Sequence, residues 1–161
     1  MAVRFSEETF KKFQEILTHY PPEHKRAAIL PTLWLAQQEF GYLSLKVMEY
    51  IAELLGLSPA YVASVASFYT MFPTKPMGKY HVQVCTNLSC TLVGAEKIVA
   101  CLEKQLGIGL GETTLDRQFS LSEVECLASC GTAPVVQVNE DYHENLTPER
   151  VLELIDRLTK E

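Results

Sequence analysis

No run of apolar residues in this chain approaches the roughly 18 that a membrane-spanning helix needs, and the N-terminus, Met1-Ala-Val-Arg-Phe-Ser-Glu-Glu8, lacks the apolar core of a signal peptide. Direct membrane insertion is therefore not expected, and the chain is expected in the cytoplasm. Positive charge is also short: 14 Lys and Arg face 20 Asp and Glu, for a net charge of −6 and a pI near 5.3. A surface with that balance has no phosphate-seeking stripe, which argues against nucleic acid or anionic lipid as partner. Cysteine is sparse and odd in number, with 5 residues, which is poor material for a disulfide framework in a reducing compartment. Internal repeats and low-complexity tracts are missing, as are a P-loop, a nucleophile elbow and an HExxH motif, and no catalytic residue is assigned. The one glycine-rich stretch, Gly107-Ile-Gly-Leu-Gly111, ends a helical pattern instead of joining a strand to a helix, so it reads as a helix stop and not a nucleotide loop.

What is present is enough apolar material, 47% of 161 residues, for a real core. The first seventy or so residues carry helical periodicity. Ser6 caps a helix with Phe10, Phe13 and Leu17 on one face, ended by Pro21-Pro22; Ile29, Leu33, Ala36 and Phe40 mark a second, stopped by Gly41, with Pro31 near its start or kinking it. Ser44 and Gly56 bracket a third with the face Val47, Tyr50, Ile51, Leu54, and Ser58-Pro59 opens a fourth carrying Val62, Val65 and Ala66. After the breaker cluster Pro73-Thr-Lys-Pro-Met-Gly78 the period changes to alternation, which predicts a strand over 79–84 that runs into Cys85. A helix over 94–106, a strand at Phe119 and Leu121, a hairpin of 134–138 with Tyr142 to Leu146, and a last helix from Thr147-Pro148 complete the pattern. The expected fold class is α/β: an N-terminal helical bundle over 1–72, then a domain over 73–161 with a β-α-β start, a hairpin and a final helix, as in a thioredoxin-like sheet with helices on its faces.

Four of the cysteines form two tight pairs, Cys85 with Cys90 and Cys126 with Cys130, each in a loop next to a strand. Two bridging sulfides can hold two irons together, and each iron then needs two protein thiolates, so one [2Fe-2S] cluster would use all four as metal and cofactor ligands. The alternative is a single tetrahedral Zn2+. Zinc sites usually place two residues between paired cysteines, whereas these loops hold four and three, so spacing favours the larger inorganic core. His19, His24, His81 and His143 all lie outside both loops, and only His81 is near enough to Cys85 in sequence to be a candidate neighbour. Cys101, beside Leu102 on a helical face, is read as a small structural hydrophobe without a metal role. Neither loop contains Lys or Arg, while Glu123 and Glu125 precede the second. A low reduction potential is expected, eased only by backbone amides and hydroxyls such as Thr86 or Ser129.

Gly78-Lys-Tyr-His-Val-Gln-Val-Cys85, the first ligand loop, and Glu125-Cys-Leu-Ala-Ser-Cys-Gly-Thr-Ala-Pro-Val-Val-Gln-Val-Asn139 resemble the thioredoxin-like [2Fe-2S] subunit of respiratory complex I, NADH:quinone oxidoreductase, and Val65-Ala-Ser-Phe-Tyr69 extends the resemblance into the helical part. The resemblance implies one [2Fe-2S] cluster on Cys85, Cys90, Cys126 and Cys130, which takes single electrons from FMN on a flavoprotein subunit that also binds NADH. It implies as well that the N-terminal helices dock onto that partner and that the assembly forms the peripheral arm of a membrane-bound complex. The equivalent subunit of an NAD-linked hydrogenase or formate dehydrogenase, and a stand-alone ferredoxin of the same fold, stay open as alternatives.

Metal analysis separates the cluster from zinc: purified protein is expected to carry about two irons and two acid-labile sulfides per chain. Stoichiometric zinc without sulfide is the contrary result.

Overall fold

The computed structural model describes residues 3–160, and the chain divides between Pro76 and Met77 into two compact units. In the first unit the helices are α1 (Glu7–Thr18), α2 (Ile29–Phe40), α3 (Leu45–Leu55) and α4 (Pro59–Phe68), with a 3-10 segment, Pro22–Ala28, leading into α2. Local chemistry sets their ends. Ser6, Ser44 and Ser58 accept hydrogen bonds from the N–H groups of Thr9, Val47 and Tyr61, and Gly41 and Gly56 close α2 and α3 with φ of 78° and 66°, a conformation a side chain resists. Pro31 sits in the first turn of α2, where no intrahelical N–H is needed, and does not break it.

Periodicity reads the buried faces only in part. Phe13, Leu33, Ala36, Ile51, Val62 and Ala66 are buried as expected, but Phe10 is exposed, and Met48 and Leu55 join the α3 face. The 3-10 segment has no apolar period and was not expected; it follows Pro21-Pro22 and buries only Ala28. The helical unit reaches beyond residue 72 because Phe72 is buried in its cluster and the Leu43 N–H donates to the Pro73 carbonyl at 2.8 Å. Among the described residues no single helix is long and apolar enough to cross a membrane.

The second unit is a four-stranded sheet in the order β2-β1-β3-β4, where β1 is Tyr80–Cys85, β2 Phe119–Val124, β3 Val136–Val138 and β4 Asp141–His143. β1 pairs in parallel with β2 and antiparallel with β3, and β3 and β4 form the hairpin, which is shorter than expected and turns at Asn139 with φ of 54°. A short helix, α5 (Leu88–Leu92), follows β1. Two long helices, α6 (Ala95–Leu106) and α7 (Pro148–Thr159), contribute Ile98, Leu102, Val151, Leu154 and Ile155 to one apolar cluster with Val82, Val84, Leu121, Val136 and Val138. Alternation along the strands puts those residues on a single face, so both helices cover that face and the opposite one carries His81, Gln83, Ser122 and Gln137. Gly78, just before β1, approaches the β2 backbone so closely that a Cβ there would meet the Phe119 carbonyl carbon at 2.7 Å. Only glycine allows that approach.

Leu102 is fully buried between α6 and the sheet, whereas Leu115 is fully exposed. Leu102→Ala is expected to lower unfolding free energy by about 2–5 kcal/mol and Leu115→Ala to leave it unchanged within about 0.5 kcal/mol, as read from denaturant unfolding.

Candidate metal centre

Sheet topology delivers the cysteines to one place. Because β1 and β2 run in parallel, their C-terminal ends lie at the same edge, where Cys85 is in register with Val124. Antiparallel β3 starts at that edge, where Val84 faces Val136. The segment leaving β1 and the segment joining β2 to β3 are therefore neighbours, although thirty-five residues separate Cys90 from Cys126 in the chain. Cross-links hold them together: the Thr86 N–H donates to the Val124 carbonyl at 3.1 Å, Asn87 Nδ2 to the Glu125 carbonyl at 2.9 Å, and the Cys85 N–H to the Val135 carbonyl at 3.2 Å.

The first cysteine segment is not the open loop expected. The short α5 carries Cys90, and Thr91 Oγ1 donates back to the Thr86 carbonyl at 3.0 Å. Four residues between Cys85 and Cys90 are enough for that turn, which has too few apolar residues to show a period. The second segment is held by side chains distant in sequence. Tyr142 Oη donates to the Leu127 carbonyl at 3.0 Å, the Asn145 N–H to the Thr132 carbonyl at 2.7 Å, and Ser129 and Thr132 both donate to Glu144 Oε1. Ala128 takes the left-handed conformation at φ 58°, which turns the chain between the two cysteines.

All five cysteines are free. Cys85 and Cys90 are buried, in a cluster with Ala95, Leu127 and Val135, while Cys126 and Cys130 are exposed. The Cys85 thiol has those of Cys90 and Cys126 as neighbours, and Cys90 interacts with Cys130. Burial alone would push Cys85 up, but the N–H groups of Asn87 and Leu127, with the adjoining thiols, outweigh it and hold Cys85 below its ordinary value. Cys90 is pushed up, first by burial and then by the charge and hydrogen bond of Cys85, against one opposing N–H from Val135. The Ala128 N–H donates to Cys126 Sγ at 3.2 Å. Backbone amides are thus the groups aimed at sulfur. The hydroxyls expected in that role are engaged elsewhere, Thr86 with the Val124 carbonyl and Ser129 with Glu144.

His81 is also committed: Nε2 lies 2.7 Å from Ser122 Oγ, and burial lowers its pKa. Cys101 is half-buried against the α6–α7 cluster with Sγ 3.8 Å from the Pro148 carbonyl, away from the other four. Among the described residues no three Cys, His, Asp or Glu side chains form a group that could hold a single metal ion. A diiron core makes a different demand, two thiolates per iron with sulfide completing each shell, and the donor set of four free thiols with amide support suits it. The residues missed by sequence reasoning are Asn87, Tyr142 and Glu144, whose partners lie on other elements.

A mixed sheet carrying four free thiols at one edge, with two helices on one face, defines a thioredoxin-like domain equipped with sulfur donors. The family model described as thioredoxin-like [2Fe-2S] ferredoxin matches residues 13–159. The chain belongs to the thioredoxin-like [2Fe-2S] ferredoxin family. It is 48% identical over 155 residues, 96% of this chain and 93% of the relative, to the NADH-quinone oxidoreductase E subunit of Rickettsia conorii (strain ATCC VR-613 / Malish 7). To the E subunit numbered 2 of NADH-quinone oxidoreductase in Rhizobium meliloti (strain 1021) it is 44% identical over 146 residues, 91% of this chain and 86% of that one. Among solved structures, NAD+-reducing [NiFe]-hydrogenase in the air-oxidised state is similar in fold, with a TM-score of 0.71 at 21% identity, covering 80% of this chain and 22% of the other.

Serine substitution separates the roles of the cysteines. Cys101→Ser is expected to keep the full complement of iron and sulfide, while Cys85→Ser or Cys126→Ser loses most of it, as measured by metal and sulfide analysis of each purified variant.

Proposed function

We propose that this chain is the electron-transfer subunit of an NADH-quinone oxidoreductase, in which Cys85, Cys90, Cys126 and Cys130 hold one [2Fe-2S] cluster and a partner flavoprotein subunit carries FMN and the NADH site. The observation that carries the reading is the bringing together of four free thiols, supported by backbone N–H groups, at one sheet edge in a chain whose relatives of that name match it almost end to end. When bound, such a cluster supplies transfer of one electron at a time.

The chain's own residues supply placement and access. Leu127, Val135 and Ala95 exclude water from the Cys85 and Cys90 side, and the exposure of Cys126 and Cys130 leaves the other side open. The segment that carries Cys90 exposes Leu88, Leu92 and Val93, apolar surface of the kind a protein partner covers. Gly107 caps the end of α6 with φ 67°, so the glycine-rich stretch does not open a helix toward a phosphate, which supports the reading that NADH and FMN bind to the partner. The helical unit is assigned to docking on the flavoprotein, and the whole chain to the peripheral, cytoplasmic arm of the complex.

Affinity capture tests this. The tagged chain is expected to bring down a flavoprotein that oxidises NADH within an assembly that reduces quinone. Removal of residues 1–76 is expected to abolish that capture while iron, sulfide and the visible spectrum persist. Unchanged affinity of the shortened chain would refute the docking role, and hydrogen-dependent instead of quinone-dependent chemistry would reassign the complex.

A further inference from the structure

Glu144 lies just beyond β4, outside both cysteine segments, yet its Oε1 accepts hydrogen bonds from Ser129 Oγ and, at 2.6 Å, from Thr132 Oγ1. These two residues flank the Cys130 turn, and their hydroxyl oxygens are 2.7 Å apart. The backbone repeats the connection, since the Asn145 N–H donates to the Thr132 carbonyl at 2.7 Å. Among the described residues the carboxylate forms no salt bridge: Arg150, the nearest cation in sequence, donates to the Asn145 carbonyl at 2.7 Å, and the one salt bridge is Lys12–Glu8. The hydrogen bonds from Ser129 and then Thr132 hold the carboxyl below its usual range, so it is ionised at neutral pH.

We propose that Glu144 is a positioning residue for the metal centre: it clamps the two sides of the Cys130 turn through Ser129 and Thr132 and sets a fixed negative charge beside the centre that lowers its midpoint potential. The clamp restricts the direction from which Cys130 can donate, and a second-sphere carboxylate opposes the arrival of an electron. This rests on the [2Fe-2S] reading given above. The two functions come apart by substitution. In Glu144→Gln the side-chain oxygen can still accept from both hydroxyls but carries no charge. In Glu144→Ala acceptor and charge are both lost.

The experiment uses the full chain. Glu144→Gln is expected to lose iron to a chelator at the wild-type rate and to show a midpoint shifted positive in a redox titration followed by electron paramagnetic resonance. Glu144→Ala is expected to lose iron several-fold faster. In metal-free protein, amide hydrogen exchange over residues 126–132 is expected to speed up in Glu144→Ala and not in Glu144→Gln. An unmoved midpoint in Glu144→Gln, or wild-type iron loss and exchange in Glu144→Ala, overturns the proposal. Wild-type protein that takes up no iron and sulfide would instead sink the cluster reading, and the hydrogen-exchange comparison would still decide whether the clamp exists.

Discussion

The three-way pairing of β1, with β2 alongside in parallel and β3 in the opposite direction, is the constraint on which the candidate centre depends. It brings the end of one strand, the end of a second and the start of a third to one edge; Cys85 is the last residue of β1, Cys90 lies in the short helix that follows it, and Cys126 and Cys130 lie in the segment between β2 and β3. Register matters as much as order. A slip of one residue in β1 would turn Val82 and Val84 out of the apolar cluster and move Cys85 away from Val124 and Val135. The core beneath therefore fixes the site above it: Leu121, Val136 and Ile98 are remote from metal chemistry but decide where sulfur ends up.

Two electrostatic influences of opposite sign meet at that edge. Backbone N–H groups from Asn87, Leu127, Val135 and Ala128 point at sulfur, and those of Asn87 and Leu127 help hold Cys85 below its ordinary value against its burial. Carboxylates at Glu123 and Glu125 precede the second segment, Glu144 bonds to it through Ser129 and Thr132, and neither segment contains a Lys or Arg. Thiolate donors supported by amides suit iron held by sulfur, and surplus negative charge suits a carrier that gives up its electron readily. Hydroxyls contribute to architecture instead, by tying loop to strand and loop to carboxylate.

Much of this was legible from residue order because its causes are local. Serine caps, glycine stops and the shift from helical to alternating period after Pro73 depend on neighbours a few positions apart, and the helix and strand positions follow from them. Where the causes are not local, pattern failed. The α5 turn is too short for a period, the 3-10 segment has none, and β4 ends at His143 because the chain from Glu144 onward bonds to the second cysteine segment and not to β3.

Sequence by itself determined which sulfur-bearing residues the chain offers, how they are spaced within each pair, and that neither paired segment carries a Lys or Arg, since these are properties of composition and short separation. Only the tertiary structure decided which pair of segments meets, which thiols are buried, and which groups face them. Those relations arise from strand pairing and from hydrogen bonds such as Asn87 to Glu125 and Tyr142 to Leu127, made between residues that the chain keeps far apart until the sheet has formed.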